Sequence, residues 1–485
     1  MAVSLGKAGH TPAARESGYA AHRAGVDRLL ASYRAIPPEA TVRLAKKTSN
    51  LFRARAANPA PGLDVSGLTR VIAVDPEART ADVAGMTTYE DLVATTLPYG
   101  LAPLVVPQLK TITLGGAVTG LGIESTSFRN GLPHESVLEM DVLTGAGEIL
   151  TVTPDGEHAD LFRGFPNSYG TLGYTVRLKI ELEPVPPYVA LRHVRFHDLR
   201  ELEATIAAVV EDRSYDGERV DYLDGVVFTA TESYLTLGRQ TDEPGPVSDY
   251  TGMDIYYRSI QHDSPHPKRD RLTVHDYLWR WDTDWFWCSR AFGTQNPKIR
   301  RFWPKRYRRS SFYWKLVALD HKYHIGDKIE ARKGNPPRER VVQDIEVPVE
   351  RTADFVSWFL REIPIEPIWL CPLRLRAEGP AVSGAGAAGT RAWPLYPLER
   401  DRTYVNVGFW SAVPTVPGQP EGAANRAIER TVTEFDGHKS LYSDSYYDKD
   451  EFAALYGGDS YTELKKRYDP DQRLLDLYSK AVQRK

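Results

Sequence analysis

Cysteine and methionine are scarce in this chain, at 2 and 4 of 485 residues. With only Cys288 and Cys371 available, a disulfide framework is excluded, and reduced thiols in a cytoplasmic protein are expected. Apolar runs of the roughly 18–20 residues that a membrane helix requires are missing. The opening MAVSLGKAGHTPAARE places charge, Gly and Pro where the apolar part of a signal peptide would stand. Excess charge of one sign is missing too: 61 Lys+Arg against 64 Asp+Glu leave −3, which excludes a surface matched as a whole to nucleic acid or anionic lipid. The histidines show no metal-ligand spacing, His262 and His266 reading as loop residues beside prolines, so no metal is expected. What is present is core material: 42% hydrophobic residues, with 10 Trp and 26 Tyr. That excludes wholesale disorder, and the length points to two domains.

Residues 1–45 are Ala/Arg-rich, and Tyr19, His22, Val26, Leu29, Leu30 and Tyr33 recur at helical spacing. This helix is expected to stop near Ile36-Pro37-Pro38. The texture then changes to short β-branched runs split by Gly and Pro, predicting strands over Thr69–Val74, Thr80–Val83, Val137–Leu143, Ile149–Val152 and Tyr174–Leu182, with helices over Tyr89–Tyr99 and Asp160–Phe165. Pro184-Val-Pro-Pro187 marks a boundary. A helix over Asp198–Val210 and a strand over Val220–Thr229 follow, and the stretch Ala377–Thr390 reads as a flexible loop. The pattern is α+β: a first domain over 1–185, a second over 186–440, and a helical segment over 441–485, with Phe452, Leu455 and Tyr456 on one face, that returns to the first.

Four glycines in Thr113-Leu114-Gly115-Gly116-Ala117-Val118-Thr119-Gly120-Leu121-Gly122-Ile123-Glu124-Ser125 let the backbone approach a ligand and aim N–H groups at it, as a diphosphate requires. No Gly-Lys-Ser/Thr follows, so this is not a Walker loop, and the spacing is not that of a Rossmann turn. The bland alternative is a glycine-rich turn that binds nothing. A carboxylate aimed into a phosphate site would repel it, so Glu124 is expected to face outward, to a ribose hydroxyl or a neighbouring Arg.

The succession strand, strand, helix, Gly100-Leu101-Ala102-Pro103, the glycine segment, Val137–Leu143 and Gly170-Thr171-Leu172-Gly173 resembles the FAD-binding domain of the vanillyl-alcohol-oxidase (PCMH-type) flavoproteins. Further stretches, Val341-Val342-Gln343-Asp344, Pro367-Ile368-Trp369-Leu370-Cys371-Pro372 and Leu441-Tyr442-Ser443-Asp444-Ser445-Tyr446, resemble the delta(24)-sterol reductase branch. The resemblance implies a PCMH-type FAD-binding domain with an α+β substrate cap. Thr113, Leu114, Gly115, Gly116, Gly120, Gly122, Ile123, Glu124 and Ser125 would then contact FAD, Gly170 and Gly173 would lie against the flavin, and Lys46, Thr48, Ser49 and Asn50 would form the first diphosphate loop. That loop, Lys46-Lys47-Thr48-Ser49-Asn50, has no His where covalent-flavin relatives carry one, so FAD is expected to be non-covalent. NADPH is implied as a transient reductant. The N-terminal membrane segment of the eukaryotic relatives is not seen here, so a methylene-branched fatty acyl chain is as good a candidate as a sterol side chain.

Reducing an isolated double bond requires a hydride from flavin N5 and a proton from an acid. The acid candidates are Tyr404, Tyr446 and Glu366, with Asp444 and Arg374 as charge partners; the bland alternative for each is a satisfied packing residue. Cys371 reads as a small buried hydrophobe.

From Trp285 to Leu319 there is no Asp or Glu, while Arg290, Lys298, Arg300, Arg301, Lys305, Arg306, Arg308, Arg309 and Lys315 contribute nine positive charges among ten aromatic rings. Such a strip suits an anionic bilayer, a single-strand groove or a solvated flank with its rings in the core. The flavoprotein context decides against nucleic acid. The expected protein is a cytoplasmic lipid double-bond reductase, peripheral at most on the inner face of a membrane. Its rivals are an FAD-dependent oxidase of an alcohol, alditol or aldonolactone, and a non-catalytic lipid- or polyanion-binding protein.

Overall fold

The computed structural model describes residues 12–46, 52–53, 62–250, 254–263, 268–323, 328, 331–332, 334–376 and 391–485. Thr48, Ser49 and Asn50 of the expected diphosphate loop, His266 and the stretch 377–390 lie outside the described residues.

The β-branched runs pair into a first, antiparallel sheet of β1 (Val71–Asp75), β2 (Thr80–Ala84), β3 (Leu101–Pro103), β4 (Val137–Leu143), β5 (Ile149–Val152) and β6 (Tyr174–Pro184). Its order is β1-β2-β6-β4-β5, with β3 on β6. Helix α1 (Pro12–Arg34) crosses β1 so closely that a Cβ on Gly18 would stand 2.1 Å from the Ile72 carbonyl. Its Tyr19 and Tyr33 hydroxyls donate to Asp82 and to the Gly145 carbonyl. Helix α2 (Tyr89–Thr96) starts at Thr88, whose side chain accepts from the Asp91 N–H.

The glycine segment departs from the sequence reading. It is not an open turn: Leu114–Thr119 is a short helix, α3, with Thr113 as its N-cap. Glycine is required there by packing, because a Cβ at Gly115 would lie 2.2 Å from Thr175 Oγ1 and 2.5 Å from the Gly85 carbonyl.

The chain leaves the first sheet at Pro184 and joins a second, eight-stranded one at Tyr188. Its order is Arg269–Thr273, Tyr188–Phe196, Glu232–Thr241, Tyr222–Thr229, Ile368–Arg374, Thr403–Pro414, Arg338–Pro348, His438–Lys439. Helices Leu199–Asp212, Thr352–Glu362 and Ala423–Glu434 cover one face, with Ile206, Phe355, Phe359, Ile428 and Val432 packed on Val227, Ile345, Val407 and Phe409. The opposite face carries Trp369, Cys371, Tyr404 and Trp410 into a core shared with the first sheet. The C-terminal helices return to the first sheet's loops, where the ammonium groups of Lys465 and Lys480 donate to the Thr171 and Tyr169 carbonyls.

Candidate functional site

A cavity of about 520 Å³ lies where the two sheets meet. Its first wall is the glycine segment: Thr113, Gly115, Gly116, Gly120, Gly122 and Ile123 line it, with Gly170. Thr113 Oγ1 accepts from the Gly116 N–H at 3.2 Å and from Lys46 Nζ at 2.9 Å, so the cap also fixes an ammonium at the cavity edge. Arg43, Lys480 and Lys485 line the same cavity.

The second wall is aromatic, made of Phe52, Trp285, Phe286, Trp369 and Trp410. Phe286 stacks on Trp410 at 4.3 Å, and Phe52 on Trp285 at 5.8 Å. Trp285 and Phe286 take left-handed backbone, φ 48° and 57°, as does Tyr169 at 50°. Such conformations cost on the order of 1–3 kcal/mol each in non-glycine residues, and here the packing of the rings they aim holds them.

The third element is polar. Strand Arg338–Pro348 turns Val341, Ile345 and Val347 to the helices, which leaves Asp344 and Glu346 on the opposite face. Asp344 lines the cavity, and Asn406 Nδ2 donates to its Oδ1 at 3.2 Å. Tyr442, also on the cavity, is hydrogen-bonded to Asp344 and accepts from Trp410 Nε1 at 3.1 Å. Burial pushes the Asp344 carboxyl up to about 7 and the Tyr442 hydroxyl well above its ordinary value. One pleat deeper, burial and the neighbouring Asp344 charge hold Glu346 well up; it accepts from Ser440 Oγ at 3.2 Å.

Several residues singled out from the sequence stand elsewhere. Leu114, Glu124, Ser125 and Gly173 do not line the cavity. Glu124 is buried against Arg280 at 3.0 Å, Arg280 in turn holding Asp224 at 2.8 Å. The Ser125 carbonyl accepts from Leu223 N–H, and its Oγ lies 2.9 Å from the Tyr277 hydroxyl. These two residues therefore join the glycine segment to the second sheet. Gly173 faces β4, where a Cβ would meet Val142 Cγ1 at 2.6 Å.

The three acid candidates are also off the cavity. Tyr404 is on the correct face of its strand, but it pairs with Pro348 and Leu373, four residues from the Gly408 row where Asp344 and Trp369 sit. At about 3.4 Å per residue that is about 14 Å away. Its hydroxyl accepts from the Glu399 N–H. Glu366 is exposed. Tyr446 lines a separate groove, its ring between Arg426 and Arg484. Asp444 lies 3.6 Å from Arg484, and Arg374 pairs with Glu211. Asp344 and Tyr442 stood inside the motif stretches of the resemblance; the missing signal was the register that pairs Asp344 with Gly408.

Residues 38–153 match the FAD binding domain family. The chain is 26% identical over 430 residues to the Delta(24)-sterol reductase of Rattus norvegicus, covering 86% of this chain and 75% of the relative. The Arabidopsis thaliana Delta(24)-sterol reductase is 25% identical over 459 residues, 86% of this chain and 76% of the relative. The Cytokinin dehydrogenase 10 of Oryza sativa subsp. japonica is 31% identical over 182 residues, 37% of this chain and 32% of the relative. The protein is an FAD-binding oxidoreductase similar over most of its length to Delta(24)-sterol reductases.

The cavity fits that cofactor. Four cationic side chains and the α3 cap line it against one carboxyl, Asp344. A Cβ at Gly116 would point toward Lys46 Nζ, 3.6 Å away. The buried Tyr169 hydroxyl on its wall has no hydrogen-bond partner among the described residues.

Proposed function

We propose that this protein is an NADPH-using reductase of an isolated carbon–carbon double bond in a lipid, either a methylene-branched fatty acyl chain or a sterol side chain. The observation that carries the reading is the Tyr442–Asp344 pair on an otherwise aromatic wall. Reduced FAD, when bound, supplies a hydride. Arg43, Lys46, the α3 cap and Lys480 would hold it.

The chain's own part is the proton. An unactivated alkene has no carbonyl to take up charge, so protonation must lead or accompany hydride arrival. The Tyr442 oxygen is held between the Trp410 indole N–H and the Asp344 carboxyl, facing the cavity. Tyr442 gives its proton to the substrate carbon and regains one from Asp344, which retains a proton up to about pH 7 because of its burial. Phe52, Trp285, Phe286 and Trp369 exclude water from that carbon and offer apolar contact in place of the several polar partners a polyol would need. This favours lipid reduction over polyol oxidation.

Non-covalent attachment is the better reading of the lining. No histidine lines the cavity among the described residues, and burial pushes the Cys288 thiol up to about 12, which keeps it protonated and unreactive. NADPH would dock transiently, since the sequence has no second glycine-rich dinucleotide fingerprint.

Anaerobic mixing with NADPH followed by lipid analysis tests the reading. Tyr442→Phe should retain flavin absorbance and bleaching by NADPH while double-bond reduction drops roughly 10²- to 10⁴-fold. Unchanged turnover removes Tyr442 from the mechanism, and failure of NADPH to bleach the wild-type flavin removes the reductase.

A further inference from the structure

The acid-free segment from Trp285 to Leu319 is divided by the fold into two parts with opposite surroundings. Its rings Trp285, Phe286, Trp287 and Tyr313 are buried, and Trp285 and Phe286 form the aromatic wall. Its cations are concentrated in a protruding tab, residues 296–306, where every residue but Arg300 and Trp303 is exposed.

The tab is firmly held. Asn296 caps the helix Pro297–Phe302 by accepting from the Lys298 N–H. Arg300 turns inward, pairs with buried Asp284 at 2.6 and 3.1 Å and donates to the Asp254 carbonyl. Arg308 Nη2 closes the far side on the carbonyls of Arg300 and Trp303. That anchoring forces Lys298, Ile299, Arg301 and Phe302 outward.

The outward face is apolar as well as basic. Of the seven large hydrophobic side chains that stand exposed among the described residues, Ile299 and Phe302 belong to the tab, Phe302 being 84% exposed. Beside them Lys298, Arg301 and Arg306 form no ion pair among the described residues, and Lys305 has only Asp249 at 3.4 Å. Apolar groups standing proud of a ring of unneutralised cations match a surface with an apolar interior under an anionic skin.

We propose that this tab docks on an anionic lipid bilayer, Ile299 and Phe302 entering the headgroup boundary and Lys298, Arg301, Lys305 and Arg306 meeting lipid phosphates. A single-stranded nucleic acid would need several exposed ring faces, and the rings here are mostly turned inward. The tab and the cavity wall are one continuous segment. Phe292 stacks parallel on Tyr313 at 5.6 Å, and Tyr313 on Trp285 at 6.3 Å. The docked surface would thus lie next to the wall proposed to receive a lipid chain. The docking itself does not rest on which bond is reduced, and its test reads binding without turnover.

The flavin-loaded protein is floated with vesicles of phosphatidylcholine alone or mixed with phosphatidylglycerol. Binding is expected only with the phosphatidylglycerol vesicles, weakening as salt shortens the screening length. Lys298→Glu with Arg301→Glu should bind about 30-fold more weakly or worse, and Phe302→Asp roughly tenfold or more. Both variants should keep the wild-type flavin spectrum and the wild-type midpoint of flavin release on heating, which shows that the fold is intact. The proposal is overturned if the wild type does not float with anionic vesicles, floats equally with neutral ones, or is matched by both variants. Dissociation of a self-associated form by Phe302→Asp, with no vesicle binding, would assign the tab to a second copy of the chain and overturn it equally.

Discussion

Arg280→Met should destabilise this protein more than any exposed charge change, and increasingly so as pH rises. Arg280 is fully buried, 3.0 Å from Glu124 and 2.8 Å from Asp224. Removing it leaves two carboxyls in a site that water does not reach. Asp224 keeps the indole N–H groups of Trp369 at 3.2 Å and Trp281 at 3.4 Å, while Glu124 keeps the Ser125 N–H. Breaking a buried pair in this way costs about 3–5 kcal/mol. Burial, with the Asp224 charge beside it, already raises the Glu124 carboxyl, and Arg280 is the strongest of the groups that oppose that rise, ahead of Ser125. Without the guanidinium, Glu124 would escape the penalty by holding a proton. A carboxyl whose folded value is raised binds protons better folded than unfolded, so its contribution falls as pH climbs from the unfolded value toward the folded one, by up to about 1.4 kcal/mol per pH unit. The midpoint of flavin release on heating should drop by roughly 5 °C or more, and the gap from wild type should be wider at about pH 8 than at about pH 5. Adding Glu124→Gln to Arg280→Met should narrow it. A wild-type midpoint at both pH values, or a drop indifferent to pH, would refute the claim that Arg280 neutralises this joint.

Gly115→Ala should cost about 1–3 kcal/mol and reduce the yield of folded protein, because its Cβ meets a backbone carbonyl that cannot move aside. Gly116→Ala should instead fold and bind FAD more weakly in a fluorescence titration, since its Cβ presses on the Thr113 hydroxyl at 2.8 Å and enters the cavity. Double-bond reduction should decline as pH rises through about 7, where Asp344 loses its proton, and Asp344→Asn should be slow and lack that inflection in a pH–rate profile.

The first sheet was largely legible because its strands are short and bounded by Gly and Pro. Val137–Leu143 and Ile149–Val152 stand where the β-branched runs placed them, and Tyr89–Tyr99 differs only in ending as a 3₁₀ turn at Leu97–Tyr99. The second sheet was not, apart from Tyr222–Thr229. In Thr403–Pro414 the first eight residues are all buried, and so are six of seven in Ile368–Arg374. A strand covered on both faces loses the alternation that marks a strand in a sequence. The same loss hid which residues of that strand and motif reach the cavity. Tyr404 and Tyr446 share their strand or motif with the true cavity residues, and only pairing distinguishes them from Trp410 and Tyr442. Glu124 was expected to meet a ribose hydroxyl or an Arg, and it meets Arg280; which Arg was beyond local inference, because that residue lies 156 positions away.

The Gly408 row shows why the Asp344 carboxyl sits where it does. Gly408 pairs with Asp344 on one side and Trp369 on the other, in the middle of the second sheet. A Cβ there would fall 2.5 Å from Asp344 Oδ1, 2.7 Å from Trp410 Cη2 and 3.3 Å from the Trp369 ring. The missing side chain is the space into which the carboxyl and both indoles converge. The two indoles then divide the polar work: Trp410 donates to Tyr442 and Trp369 to Asp224. One glycine thus lets Asp344 and Trp369 stand side by side in one row, with Tyr442, the proposed proton donor, reached through Trp410 and the buried joint reached through Trp369. An apolar wall gains an acid there without an unpaired charge, because burial keeps Asp344 protonated up to about pH 7.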